Sequence, residues 1–408
     1  MATTGRSILR EAAFVRLWLG TTASGLATWA FPFVLGLAVL ERELTATALG
    51  MVLAGRSVGF LVAVPVGGVL ADRHSRRGVV LWAGLAATLA TPVLAAGMGR
   101  SVPLMIVAAV VIGAGQGACR PAYQAMVCEV VDQDRRQQAN AATALAVRVV
   151  TLTAPGIVAL LALVFDITAL LVGTGLVWLF AALVPPKGRA TTPEPGPKPG
   201  IVRAFFEGLH EARRHPWFLA GLTALTVVIA TGYSATAVAL PLVSRDRYGT
   251  EAVLAAGLTA YTVGGLIGAV IVGKWRPRRE GWTALAALAC YGIAPLALLF
   301  PVPAVVVIVA YALSGIAIEL FNVPWFTATQ REVAENKLAR VSSVDFLLSY
   351  GLAPVGLALI APAIDAYGTA TVLGVCAAAC FLVPVAAMLV PTTREFRRDT
   401  PDRDAVTS

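Results

Sequence analysis

Few ionisable side chains interrupt the long apolar segments of this chain, and each is a candidate for chemistry. Arg56, Arg120, Arg148 and Glu319 lie inside such segments, and Asp345 lies near the start of another. A charge in a hydrocarbon environment is costly, so such residues tend to face a polar pathway or each other. A carboxylate in a partly dry cavity can exchange protons near neutral pH, which would make Glu319 a coupling group. The plainer alternative is a permanent ion pair of Glu319 with Arg120 or Arg148. The residue types leave both open.

A second group sits where an apolar segment ends, in the stretch Gly67–Gly78, GGVLADRHSRRG. Asp72 follows about 20 apolar residues, enough to span a bilayer. A helix N-terminus favours an anion, so Asp72 is a candidate to face the start of the eleventh predicted helix. Pairing within the loop, with Arg73, Arg76 or Arg77, is the alternative. No metal or cofactor site is expected. The five cysteines and three histidines lack metal-ligand spacing, and Cys376 and Cys380 read as helix-packing residues. Gly268–Lys274 mimics a phosphate-binding loop, but Trp275 replaces the required Ser or Thr and the context is an apolar helix.

These residues are embedded in a chain of 408 residues that is 58% hydrophobic and 13% charged, against about a quarter charged in soluble domains. The class this implies is an all-α polytopic membrane protein. Spans are predicted near 14–40, 46–71, 79–99, 103–129, 138–163 and 167–184, then near 216–242, 251–273, 282–300, 303–329, 341–363 and 369–390. That is about twelve helices. Of the 32 Lys and Arg residues, Arg42, Arg100, Arg245 and Arg247 alone fall in the loops assigned to the outside. The positive-inside rule then places both termini in the cytoplasm. The net charge of +9 reads as topology and contact with anionic lipid, not as nucleic-acid binding.

The Pro- and Gly-rich stretch 185–202 divides the chain, and Arg203–His215 reads as an amphipathic helix on the inner membrane face. The expected organisation is a six-helix half at 1–184, a linker with its helix at 185–215, a second six-helix half at 216–390, and a disordered tail at 391–408. An internal repeat supports the two halves. Pro121, Ala125 and Glu129 recur as Pro324, Ala328 and Glu332, and Ala154-Pro155 recurs as Ala353-Pro354. The same alignment places Gln116 opposite Glu319. Parallel repeats of this kind put a substrate site between the halves near the bilayer midplane.

The spacing Gly68-x-x-x-Asp72-Arg73-x-x-Arg76-Arg77 resembles the signature loop between helices 2 and 3 of the major facilitator superfamily. Gly117–Ala122 and Ala139-Asn140-Ala141 are similar to the branch that exports siderophores, drugs and secondary metabolites. The resemblance implies a facilitator fold of two pseudo-symmetric halves, in which the loop stabilises the outward-open state and lets go as the cytoplasmic side opens. Its cavity-lining helices 1, 4, 7 and 10 would include Gln116, Arg120 and Glu319. Three positions depart from the pattern. The helix-4 antiporter motif Arg-x-x-Gln-Gly has Gly113 in place of arginine, with Arg120 as a conjectural substitute. The helix-5 motif is reduced to Ala154–Ala159, and Thr28 stands where related exporters often carry an acid.

The function expected is secondary active export of a small amphiphilic organic molecule by alternating access, driven by proton influx. Trp29, Phe31, Tyr233, Tyr311, Phe321 and Trp325 are candidates to stack such a substrate. Uptake or uncoupled facilitation is one alternative, and a transport-silent membrane sensor is another. No loop gathers a nucleophile, a base and a metal site, so an enzyme is not expected. The expected setting is the bacterial cytoplasmic membrane, with lipid, substrate and protons as partners. A monomer would suffice.

Overall fold

The hydrocarbon core offers no water to backbone N–H and C=O groups, so a spanning chain must satisfy them within itself, which a helix does. The computed structural model describes residues 7–188, 200–351 and 353–397. Six helices come first: α1 (Ala12–Leu40), α2 (Ala46–Arg73), α3 (Arg76–Gly97), α4 (Val102–Val130), α5 (Arg136–Leu161) and α6 (Ile167–Leu183). The shorter α7 (Ile201–Arg213) follows. Next come α8 (Pro216–Val227), a π-helical turn at Val228–Tyr233, α9 (Ser234–Tyr248), α10 (Ala252–Lys274), α11 (Glu280–Ala289) and α12 (Ile293–Leu299). The last four are α13 (Ala304–Glu332), α14 (Leu338–Ser349), α15 (Ala353–Tyr367) and α16 (Thr369–Ala387).

Among the described residues, 11 helical stretches are long and apolar enough to cross a membrane, three of them built from two consecutive helices. The apolar α6 is shorter. At about 1.5 Å per residue it reaches roughly 25 Å, the lower limit for a span. With α6 the number reaches the twelve expected from hydropathy. Residues 268–274 are helical throughout, as the rejection of a phosphate loop requires.

Two compact units emerge. The first holds α1–α6, α7 as far as Gly208, and Ala334–Leu347. The start of α14 therefore packs with the first six helices, although it lies far along the chain. The second unit holds Leu209–Val333 and the chain from Leu348 onward.

Each unit contains helices that meet backbone to backbone. On the α2–α4 contact, a Cβ added at Gly59 would overlap the Val110 carbonyl, and one at Gly113 would overlap the Arg56 carbonyl. On the α10–α13 contact, Gly264 lies against the Ala312 carbonyl and Gly315 against that of Tyr261. Small residues allow this approach, which lipid alone would not drive. Gly59 on α2 and Gly264 on α10 thus belong to packing surfaces inside their own units.

The expected disordered tail begins with ordered structure. Pro391–Arg394 forms a 3-10 turn, and Phe396 is fully buried against Trp217, Phe321 and Trp325. Arg331 holds this end by donating to the carbonyl oxygens of Glu395 and Phe396. Burial of one aromatic ring contributes enough to order a short polar segment. Residues 398–408 lie outside the described part, as do 189–199 of the expected linker.

Candidate functional site

The signature stretch is nearly all helix. Asp72 and Arg73 form the last turn of α2, only His74 and Ser75 intervene, and Arg76 and Arg77 open α3. Ser75 makes the sharp junction possible by accepting the Gly78 N–H at 3.1 Å, an N-cap for α3. Asp72 is carried past the end of α2 to the start of α14. Its Oδ1 accepts the Ala339 N–H at 3.1 Å, and its Oδ2 accepts the Arg340 N–H at 2.9 Å and Arg340 Nε at 3.3 Å. The first N–H groups of a helix have no acceptor of their own. Asp72 caps α14 from another helix, with the dipole in its favour.

The rest of the stretch divides. Gly68 gives α14 room: a Cβ there would lie 2.6 Å from Ser343 Cβ and 2.7 Å from the Ala339 oxygen. Arg76 is fully enclosed, 3.0 Å from Glu129 Oε1 and 3.8 Å from Asp72 Oδ1. It also donates to the carbonyl oxygens of Ala125 and Glu335. Arg73 and Arg77 instead reach the carbonyls of Gly200 and Leu183. Residues outside the recognised pattern complete the cluster. Arg340 binds Glu207 of α7 at 3.1 Å, and Arg136 lies 3.5 Å from Glu335. Glu129 could have been singled out, since it recurs as Glu332 in the repeat. Arg340 and Glu207 carried no local signal.

A second polar cluster lies midway along α1, α2 and α4. Pro32 lacks an N–H, so the carbonyl of Thr28, four residues earlier, loses its helical donor. Arg56 supplies one: Nη2 donates to Thr28 O at 3.1 Å and to Gln116 Oε1 at 2.8 Å, while Nε donates to Gln116 Oε1 at 3.2 Å. The guanidinium also sits 5.4 Å from the Phe31 ring. Thr28 and Gln116 are therefore brought together, and the residue joining them is Arg56.

Arg120 lies between two rings, 5.8 Å from Phe60 and 5.9 Å from Phe346. Asp345 on α14 is buried, while Arg148 on α5 is half-buried. Glu319 is buried in the second unit, on the face of α13 that Gly268 of α10 approaches. Of the aromatic candidates, Trp29 and Tyr233 remain exposed. Phe31 and Tyr311 are buried, and Phe321 and Trp325 are buried in the second unit and stack on each other at 5.5 Å.

Residues 17–357 match the family model of the Major Facilitator Superfamily. The chain belongs to that superfamily. This facilitator is 26% identical to the multidrug efflux pump Tap of Mycolicibacterium fortuitum, over 97% of its own length and 98% of that relative. It is 28% identical to Tap of Mycobacterium tuberculosis (strain ATCC 25618 / H37Rv), over 89% of each chain. Its fold is shared with solved structures. The human organic anion transporter MFSD10 (TETRAN) matches with a TM-score of 0.75 at 14% identity, over 94% of this chain and 100% of that one. A bacterial homologue of the iron transporter ferroportin matches with a TM-score of 0.70 at 17% identity, over 92% and 98%. The facilitator is a multi-pass membrane protein that serves a small-molecule substrate.

Family membership sharpens one departure. The helix-4 arginine of the antiporter pattern would stand at Gly113, where the Arg56 backbone leaves no room for a side chain. The guanidinium that meets Gln116 comes from α2 instead. The expected substitute, Arg120, faces the rings of Phe60 and Phe346.

Proposed function

We propose that this facilitator exports small amphiphilic organic molecules of the drug or metabolite type by alternating access, with proton influx as the driving force. The observation that carries the reading is likeness to multidrug efflux pumps along nearly the whole chain. The capping of α14 by Asp72 supports the alternating part. A contact made of a few directional hydrogen bonds can be broken and remade without unfolding either helix. In this reading both termini are cytoplasmic, as the distribution of Lys and Arg favours. The two six-helix halves are the moving parts, lipid is the only other partner, and a monomer suffices. Asp72, with Gly68 and Arg76, holds the closed cytoplasmic side. Gln116, Arg120, Thr28, Arg148 and Asp345 serve the substrate path, and Glu319 carries the proton. The absence of an arginine at residue 113 favours one second reading, uncoupled facilitation.

Everted membrane vesicles decide between the two. Candidate substrates are added to vesicles energised with a proton gradient, with wild type beside Glu319→Gln and Asp72→Asn. Export coupled to protons predicts substrate-induced loss of the gradient, abolished by Glu319→Gln. Substrate accumulation without proton movement would refute the coupling and leave facilitation.

A further inference from the structure

Arg56 differs from the enclosed guanidinium groups of the first unit. Arg76 is paired with Glu129 and Asp72, Arg136 with Glu335, and Arg340 with Asp72 and Glu207. Arg56 makes no ion pair among the described residues. Its partners are the Gln116 amide oxygen, the Thr28 carbonyl and the Phe31 ring. All three are neutral, so they orient the guanidinium without cancelling its charge. Arg120 adds a like charge close enough to act on it.

Depth makes the missing counter-charge matter. α2 begins at Ala46, so Arg56 lies about 15 Å along it at 1.5 Å per residue, well inside a hydrocarbon layer roughly 30 Å thick. A cation left unneutralised there is held at a free-energy cost that an arriving anion relieves. The guanidinium keeps one edge open. Nε and Nη2 are engaged, but Nη1 donates no hydrogen bond among the described residues, and Arg56 is only half-buried. Gly25 lies one turn before Thr28 on α1, and an added Cβ there would meet nothing within 4 Å.

The geometry points to Arg56 as a substrate-binding cation, whose free Nη1 edge receives an anionic oxygen group (carboxylate, enolate or sulfonate) on an apolar body. Pro32 and Gln116 act as positioning residues, since they set the two acceptors that aim the guanidinium. This inference rests on the transport reading and names the substrate class it favours.

The test uses the full chain in phosphatidylcholine nanodiscs with two probes of one shape, 1-pyrenebutyrate and 1-pyrenebutanol, each corrected for empty discs. Wild type is expected to bind the carboxylate at least tenfold more tightly. Arg56→Gln brings the two probes within twofold, leaves the alcohol unchanged, and Arg56→Lys restores part of the preference. Should Arg56→Gln not fold, Gln116→Glu supplies the missing counter-charge beside an intact Arg56 and is expected to erase the preference. A preference absent from wild type, or one surviving Arg56→Gln, overturns the inference. Binding is read without transport, so the two readings fail separately. Anion preference without substrate movement in vesicles sinks export alone, and movement without preference sinks this site alone.

Discussion

Replacing Asp72 by Asn tests the capping of α14 most directly. The carboxylate accepts the Ala339 and Arg340 N–H groups on separate oxygens, at 3.1 and 2.9 Å. Asparagine keeps one oxygen and turns an NH2 group toward the other donor. Hydrogen bonds to a charged acceptor contribute about 1.5–3 kcal/mol each and neutral ones about 0.5–1.5. Two charged bonds at about 2 kcal/mol become one neutral bond at about 1, so the loss is about 3 kcal/mol. At about 1.4 kcal/mol per tenfold change, that corresponds to roughly a hundredfold. Hydrogen exchange reads the change cleanly, because these two amides sit in the first turn of α14, where no intrahelical acceptor protects them. Exchange is followed by mass spectrometry of residues 334–347 in nanodiscs. Ala339 and Arg340 are expected to exchange about a hundredfold faster in Asp72→Asn. Arg73→Gln, which loses the 3.2 Å contact to the Gly200 carbonyl and touches neither amide's acceptor, should leave them unchanged. Rates within threefold of wild type in Asp72→Asn would refute the capping argument.

Three further outcomes follow from the packing. Gly113→Ala forces α2 and α4 apart and should cost about 1–3 kcal/mol as overpacking, read as a lower melting temperature. Gly25→Ala, which meets open space, should not lower it. Glu129→Gln removes the carboxylate charge 3.0 Å from the enclosed Arg76 while Asp72 and two carbonyl oxygens stay in place, and should destabilise by about 1–3 kcal/mol. Glu207→Gln, whose side chain is 43% exposed, should cost under about 1 kcal/mol, so denaturation of the two variants should rank them plainly. Phe396→Ala empties the space beside Trp217 and Trp325. It should cost about 3 kcal/mol and shift tryptophan emission to the red, while unchanged emission would mean the terminal segment packs elsewhere.

The spans and the partner of Asp72 were legible in the sequence for physical reasons. Hydropathy reports burial in lipid directly, and an acid at one helix end favours the positive end of another. What stayed hidden depends on helix rotation. Arg56 was visible as an intramembrane charge, but its meeting with Gln116 is set by how Gly59 and Gly113 let α2 and α4 turn against each other. Half of the signal was nonetheless available, since Pro32 necessarily frees the carbonyl of Thr28. Composition gives the rings of Phe321 and Trp325 and not their direction, so their stacking on each other could not be read from the sequence. Phe396 was concealed by charged neighbours on both sides, though the ring alone is what enters the core.

The glycine contacts between α2 and α4 also govern how descendants of this sequence can vary. Where two side chains meet, growth on one side can be offset by trimming the other, and a lineage can pass through both changes in turn. Opposite Gly59 and Gly113 stand carbonyl groups, of Val110 and Arg56, and a carbonyl cannot be made smaller by any mutation. No single compensating change exists, so these positions are closed to gradual drift. A lineage could change them only by sliding one helix along the other, which would also carry Arg56 away from Gln116. The scaffold and the polar cluster are thereby bound to change together.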